Sequence, residues 1–256
     1  MGTLRNVLAQ AVRPSRLRVM ASKVIRRFEK NDRGKNLGWL QANSERFEDF
    51  FSRMDPVLWK ESVEVSEDIN KRARTKLSKL QHNLGGGAAT PVLYFLTRLL
   101  RPQIVVETGV AAGYSSQAIL SAIDRNQYGT LYSSDFPYFR LENPEQYIGY
   151  VVDDQLKHNW KLYIEGDNAN LPSIARSIDH IDLFHYDSDK SYAGRKWVME
   201  TLSTLLTPNA IVLMDDIQDN SFFRDFVQAR SEHEWHVFRY ENKYIGMIGN
   251  PHRAEG

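Results

Sequence analysis

Along residues 103–248, short apolar runs alternate with segments whose apolar residues recur at helical spacing. Gln103–Glu107, Thr130–Asp135, Lys161–Glu165, Ile181–Tyr186 and Ala210–Met214 read as strands. Gly113–Ile123, a short stretch around Ile174, Tyr192–Leu206 and Phe222–Arg230 read as helices. Thr90-Pro91 opens another helix running to Leu100, with threonine as cap and proline in the first turn. Strands separated by helices predict a parallel sheet with right-handed crossovers. The end differs: only Glu241, Asn242 and Lys243 separate the strands Glu234–Tyr240 and Tyr244–Ile248. That gap is too short for a crossover, so these two strands are expected to form an antiparallel hairpin.

Before residue 85 strand patterns are scarce. Leu4–Val12, Val19–Glu29, Ser44–Phe51 and Glu64–Leu80 read as helices, interrupted by Pro14 and Pro56. Gly85-Gly86-Gly87 reads as a hinge or a linker. The expected organisation is a helical extension over 1–84, a lid or an oligomer contact that includes Trp59, followed by an α/β domain over 85–256.

Composition changes this picture little. The chain has 256 residues, 42% hydrophobic and 25% charged, with a formal net charge of +1. Nothing in that balance points to nucleic acid. The absence of cysteine excludes disulfides, thiolate metal sites and cysteine nucleophiles. No apolar run is long enough for a membrane-spanning helix and no secretory leader pattern opens the chain, so a cytoplasmic location is expected. Seven basic residues, from Arg5 to Arg27, precede the first acidic one, Glu29. They suit a transit peptide, a surface-binding helix or a solvated helical arm.

The candidate chemistry begins where the strand Gln103–Glu107 meets a helix, in Glu107-Thr108-Gly109-Val110-Ala111-Ala112-Gly113-Tyr114-Ser115-Ser116. Small residues let a ligand approach the backbone, and ligands of open α/β sheets sit beyond the carboxyl ends of the strands. Glu107 stands where a dinucleotide fingerprint has its first glycine, and Tyr114 stands where a phosphate loop needs lysine. A carboxylate there repels a pyrophosphate and suits a ligand bearing an amino group. Asp135 ends the next strand, where an acid can accept ribose hydroxyls; it is equally an ordinary turn residue. Asp167, in Gly166-Asp167-Asn168, follows the third strand and could meet an adenine edge, or simply make a turn. Asp187 and the pair Asp215-Asp216 end two strands expected to be neighbours, so three carboxylates converge. Oxygen ligands of that kind suit a hard divalent cation; Asp-Asp after a strand also caps a helix.

The segments VVETGVAAGYSS, LYSSD, IEGDNANLP, IDLFHYDSDKSY and NAIVLMDDI resemble class I S-adenosylmethionine (SAM)-dependent methyltransferases, above all bacterial sugar and catechol-type O-methyltransferases. The resemblance spans residues 84–250. It implies a Rossmann-like α/β fold, a mostly parallel seven-stranded sheet ending in an antiparallel hairpin. It implies SAM held by Glu107, Gly109, Gly113 and Ser115, with Asp135 on the ribose, and with Asp167 and Asp187 completing the site. It also implies Mg²⁺, Mn²⁺ or Ca²⁺ on Asp187, Asp215 and Asp216, with Lys190 or Asp189 as the proton acceptor. The expected acceptor is a hydroxyl of a small molecule or glycan, and the expected assembly a homo-oligomer. A metal-independent N- or C-methyltransferase and a non-catalytic SAM-binding protein are the alternatives. His185 reads as a packed structural residue, and Tyr192 and Arg195 as substrate contacts or an ordinary helix start.

Overall fold

The computed structural model describes residues 6–8, 11, 33–85, 87–230 and 232–254. Apart from residues 6–8 and 11, which are helical, the helices expected over Leu4–Val12 and Val19–Glu29 and the basic run around them fall outside the described residues.

Eight strands form one sheet: β1 (Ser44–Arg46), β2 (Ile104–Thr108), β3 (Thr130–Ser134), β4 (Trp160–Tyr163), β5 (Ile181–Tyr186), β6 (Leu206–Met214), β7 (Trp235–Tyr240) and β8 (Lys243–Ile248). Their order is β1-β7-β8-β6-β5-β2-β3-β4. Strands β2 to β6 are parallel, and β8 runs antiparallel to both β6 and β7, which is the expected hairpin. The sheet has one strand more than expected. Ser44–Arg46, read from sequence as helical, is extended and pairs in parallel with β7, Ser44 opposite Val237 and Arg46 opposite Arg239. Three polar residues carry no strand pattern of their own; the unpaired edge of β7 organises them.

The helices are α1 (Arg33–Asn43), α2 (Phe47–Met54), α3 (Pro56–Leu77), α4 (Thr90–Leu100), α5 (Tyr114–Asn126), α6 (Asp167–Ser177), α7 (Tyr192–Leu202) and α8 (Phe222–Gln228). Helix α3 starts eight residues earlier than expected because Pro56 occupies its first turn instead of interrupting it. The Asp55 carboxylate accepts from the N–H groups of Val57 and Leu58, at 3.0 and 2.9 Å, which satisfies two of the donors a helix start leaves bare. Helix α7 ends at Leu202, short of the expected Leu206, because Leu206 already belongs to β6.

Period-two alternation divides the strand residues between two apolar layers. Val105, Leu183, Leu213 and Phe238 pack with α2 to α5, through Phe47, Phe51, Trp59, Val92, Phe95 and Ile119. Val106, Phe184, Val212 and Val237 face the other layer, with Leu40, Leu171, Ile174, Val198 and Phe223. The amino-terminal helices α2 and α3 therefore share a continuous core with the sheet. Trp59 is buried in it, stacked on Phe51 at 5.7 Å. A third, smaller cluster brings Ala73 of α3 and Leu84 on to Ala112, with Tyr138 at its margin. Tyr138 donates to the Leu84 carbonyl at 2.7 Å. Among the described residues no helix is long and apolar enough to cross a membrane.

Candidate active site

The parallel strands all end at one edge, and every acidic candidate except Glu107 sits in the loops there or, for Asp167, at the start of α6. After β2 the backbone turns through Gly109 (φ 85°), Ala111 (φ 48°) and Gly113 (φ 100°) into α5. At Gly109 a Cβ would collide with the carbonyl of Asp187, because the loop leaving β2 lies directly on the loop leaving β5. At Gly113 a Cβ would stand 2.7 Å from the Cα of Gly149. The segment around Gly149 is bonded down on the turn: Gly149 N–H donates to Ala111 and Val151 N–H to Ala112, both at 2.9 Å. The two glycines thus serve left-handed backbone and close packing together.

Glu107 lies beneath this loop and is fully buried. The hydroxyls of Ser116 and Ser133 donate to its Oε2 at 2.6 and 2.8 Å, and Trp160 Nε1 donates in turn to Ser133 at 2.8 Å. Its other oxygen stands 3.6 Å from Nδ1 of His185, its register partner across β2 and β5. Burial pushes the Glu107 carboxyl up, but His185 and the hydroxyls of Ser115 and Ser116 outweigh it and hold the group ionised. Burial pushes His185 down, and Glu107 outweighs that, raising it. His185 points into the α4–α5 layer as expected, and it has an ionic partner there that one sequence does not reveal. Ser115 is buried in the first turn of α5 beside this pair.

Asp135 follows β3. Its Oδ2 accepts from the N–H groups of Val110 and Ala111 at 3.0 and 2.7 Å, and its Oδ1 from Phe136 N–H at 2.7 Å. This carboxylate holds the β2–α5 turn from the side and keeps spare lone pairs for a hydroxyl donor. Burial, with a smaller contribution from the Asp167 charge, pushes it up to about 6 against the pull of the three amides. Because the folded value lies above the ordinary 3.8, the stability it contributes is complete below that pH and is lost as pH rises through about 6. The stability difference between wild type and Asp135→Asn, followed by urea unfolding, is expected to shrink by up to about 3 kcal/mol from pH 4 to 7. A pH-independent difference would contradict this assignment. Asp167, at the start of α6, accepts from Ser134 Oγ at 2.6 Å.

The loops after β5 and β6 bring Asp187, Asp215 and Asp216 together, with one carboxylate oxygen of each within 4.8 Å of the others. Tyr186 pairs with Met214 in the parallel register, so the two loops leave the sheet side by side. Asp216 takes a left-handed conformation (φ 51°), and its amide donates to Asp215 Oδ1 at 3.0 Å. Burial and the neighbouring Asp215 charge raise the Asp187 carboxyl, partly offset by Lys190 and His185. Lys190 bridges two of the acids: its Nζ lies 3.1 Å from Asp187 Oδ1 and is hydrogen-bonded to Asp216. Lys243, from the hairpin turn, reaches Asp216 Oδ1 at 3.4 Å, and Gln218 Nε2 donates to the same oxygen at 3.1 Å. Oxygen-only donors converging at this spacing fit a hard divalent cation.

Asp189 is not brought into this cluster. Its Oδ1 accepts from Ser191 N–H at 3.1 Å, and its Oδ2 lies against Gly194, on the first turn of α7. Tyr192 remains exposed, while Arg195 is withdrawn from solvent beneath Asp215-Asp216. Sequence reasoning missed Lys243, whose approach depends on the β6–β8 pairing and leaves no local signal, and Gln218, which stands only two residues after Asp216.

Residues 106–217 match a protein-family model described as "Methyltransferase domain". This stretch is therefore similar to a methyltransferase domain. Its fold is shared with solved methyltransferases at low identity. The O-methyltransferase TomG of Streptomyces achromogenes, involved in tomaymycin synthesis and solved with SAM, is 17% identical with a TM-score of 0.53, covering 70% of this chain and 86% of that one. A methyltransferase from Geobacter sulfurreducens is 18% identical with a TM-score of 0.54, covering 72% and 90%. The O-methyltransferase of Bacillus cereus, solved with S-adenosylhomocysteine, is 12% identical with a TM-score of 0.52, covering 82% and 100%. No curated protein gives a significant match. The β2–α5 turn, Asp135 and the α5 N-terminus lie where open α/β sheets take their ligand.

Proposed function

We propose that this chain is an O-methyltransferase that moves the methyl group of SAM to a hydroxyl of a small molecule or glycan, assisted by a divalent cation. The observation that carries the reading is the convergence of Asp187, Asp215 and Asp216 with Lys190, one strand away from the glycine turn. In this reading Gly109, Gly113 and Ser115 form the floor for SAM, Asp135 meets the ribose and Asp167 the adenine side. Glu107 holds that floor from below, through Ser116 and His185. Asp187 stands between the two halves of the site. A bound cation lowers the pKa of an acceptor hydroxyl and fixes its oxygen in line with the methyl group.

Lys190 is favoured over Asp189 as the proton acceptor, since its Nζ lies among the carboxylates while the Asp189 carboxylate lies on α7. A lysine acts as a base only when its pKa is depressed, and a cation on the same carboxylates would supply that. The 1–84 extension is read as a cover, because Ala73 and Leu84 already lie on Ala112 of the SAM turn. The enzyme is read as cytoplasmic and homo-oligomeric.

One observation favours a second reading. The ammonium groups of Lys190 and Lys243 both reach Asp216, so the cluster is partly neutralised by the chain itself. That arrangement also suits transfer without a metal. A panel of hydroxylated acceptors assayed with labelled SAM, in Mg²⁺ and in EDTA, separates the two. The first reading expects turnover that collapses in EDTA and returns with Mg²⁺. Full turnover in EDTA would install the second.

A further inference from the structure

Arg195 is a guanidinium with 1% exposure, on α7, behind the Asp215-Asp216 turn. Its Nη2 donates to the carbonyl oxygens of both residues, at 3.0 Å each. Its Nε and Nη1 make no hydrogen bond among the described residues, and its plane sits over the Tyr186 ring, 5.4 Å from the centroid. The Tyr186 hydroxyl donates to the Asp189 carbonyl, so the same stack also holds the loop after β5.

A buried cation that satisfies so few of its five donors costs folding free energy, and a well-packed apolar side chain would serve stability better. The return is geometric. Peptide units are planar, so fixing the Asp215 oxygen fixes the plane before the Asp216 Cα, and fixing the Asp216 oxygen fixes the plane after it. Between two fixed planes the φ and ψ of Asp216 are set, and with them the direction of its Cβ. That φ is 51°, a conformation aspartate adopts only at a cost.

We propose that Arg195 is a positioning residue: by gripping the two carbonyls behind them, it aims the carboxylates of Asp215 and Asp216 at Asp187 and Lys190. Its consequence for cation affinity rests on the metal-assisted reading given above; the positioning itself does not. Arg195 is withdrawn from solvent and acts through the turn it holds.

The experiment uses the full chain with Arg195→Ala and Arg195→Lys. Amide hydrogen exchange is read over residues 214–219, and Mn²⁺ binding by electron paramagnetic resonance. Arg195→Ala is expected to speed exchange in that segment at least tenfold, leave the β2–α5 segment unchanged, and weaken Mn²⁺ binding at least tenfold. Ethylguanidinium is expected to restore both signals, and ethylammonium at equal concentration neither. Unchanged exchange at 214–219, or equal acceleration throughout the sheet, overturns the proposal. If Arg195→Ala does not fold, Arg195→Lys decides: intermediate exchange supports the proposal and wild-type exchange overturns it. A wild type that takes up no Mn²⁺ removes the cation reading, while the exchange comparison still decides the role of Arg195.

Discussion

Gly109→Val is expected to abolish SAM binding detectable by calorimetry while leaving a folded protein. Two costs combine at this position. A β-branched residue at φ 85° meets the left-handed penalty, of order 1–2 kcal/mol. Its Cβ also collides with the carbonyl of Asp187, an atom fixed by the bond from Asp187 N–H to the Thr108 carbonyl at 2.9 Å. Overpacking of this kind costs about 1–3 kcal/mol more. The strain relaxes only by moving the turn away from β5, and the turn is the proposed floor for SAM. At about 1.4 kcal/mol per factor of ten, the two costs together correspond to roughly thirtyfold to several thousandfold in affinity. Gly109→Ala, with the same Cβ but no branch, is expected to fall between. SAM affinity within twofold of wild type in both variants would remove this turn from the binding site; circular dichroism verifies the fold.

Asp187→Ala and Asp215→Ala are each expected to eliminate metal-stimulated turnover and to weaken Mn²⁺ binding beyond the roughly 10–100-fold typical of losing an outer-shell partner. Each change removes one of three converging oxygens, and Asp187→Ala also takes one of the two carboxylates paired with Lys190. The backbone of Asp187 packs against Gly109, so its carboxylate leaves the sheet beside the turn proposed to hold SAM. Its loss is therefore expected to weaken SAM binding as well, whereas loss of Asp215 is not. Equal SAM affinities in the two variants would remove Asp187 from the SAM side of the site. Retained Mn²⁺ affinity in either would remove that residue from the cation site.

Much of the architecture was legible in the sequence because the strands that matter are buried. IVVE, IDLFHY and AIVLM are apolar runs bounded by turn residues, and burial on both faces of a sheet produces such runs. The hairpin was legible from the length of a gap. Asp187 and Asp215-Asp216 were legible as neighbours because sequential parallel strands usually pair. What was missed depends on contacts between distant segments. Ser44–Arg46 becomes a strand only against β7. Glu107 and His185 meet only through the β2–β5 register, and Lys243 reaches Asp216 only through the β6–β8 register. The direction of Asp189 depends on Gly194 leaving room beside it. Asp55-Pro56 does carry a local signal, a cap followed by a first-turn proline, which competes with the reading of Pro56 as a breaker.

The short parallel strand at the far margin of the sheet bears on where the chain can be cut. Ser44–Arg46 occupies the amide and carbonyl groups along one side of β7, and after it Phe50 and Phe51 pack on Phe238 and Phe47 on Tyr240. A fragment starting at residue 85 would retain every acid of the candidate site and still bare a hydrogen-bonding ladder beside an uncovered aromatic surface, a combination that invites self-association. A fragment that begins upstream of Ser44 is expected to stay dissolved where one that begins at residue 85 self-associates, which light scattering would read.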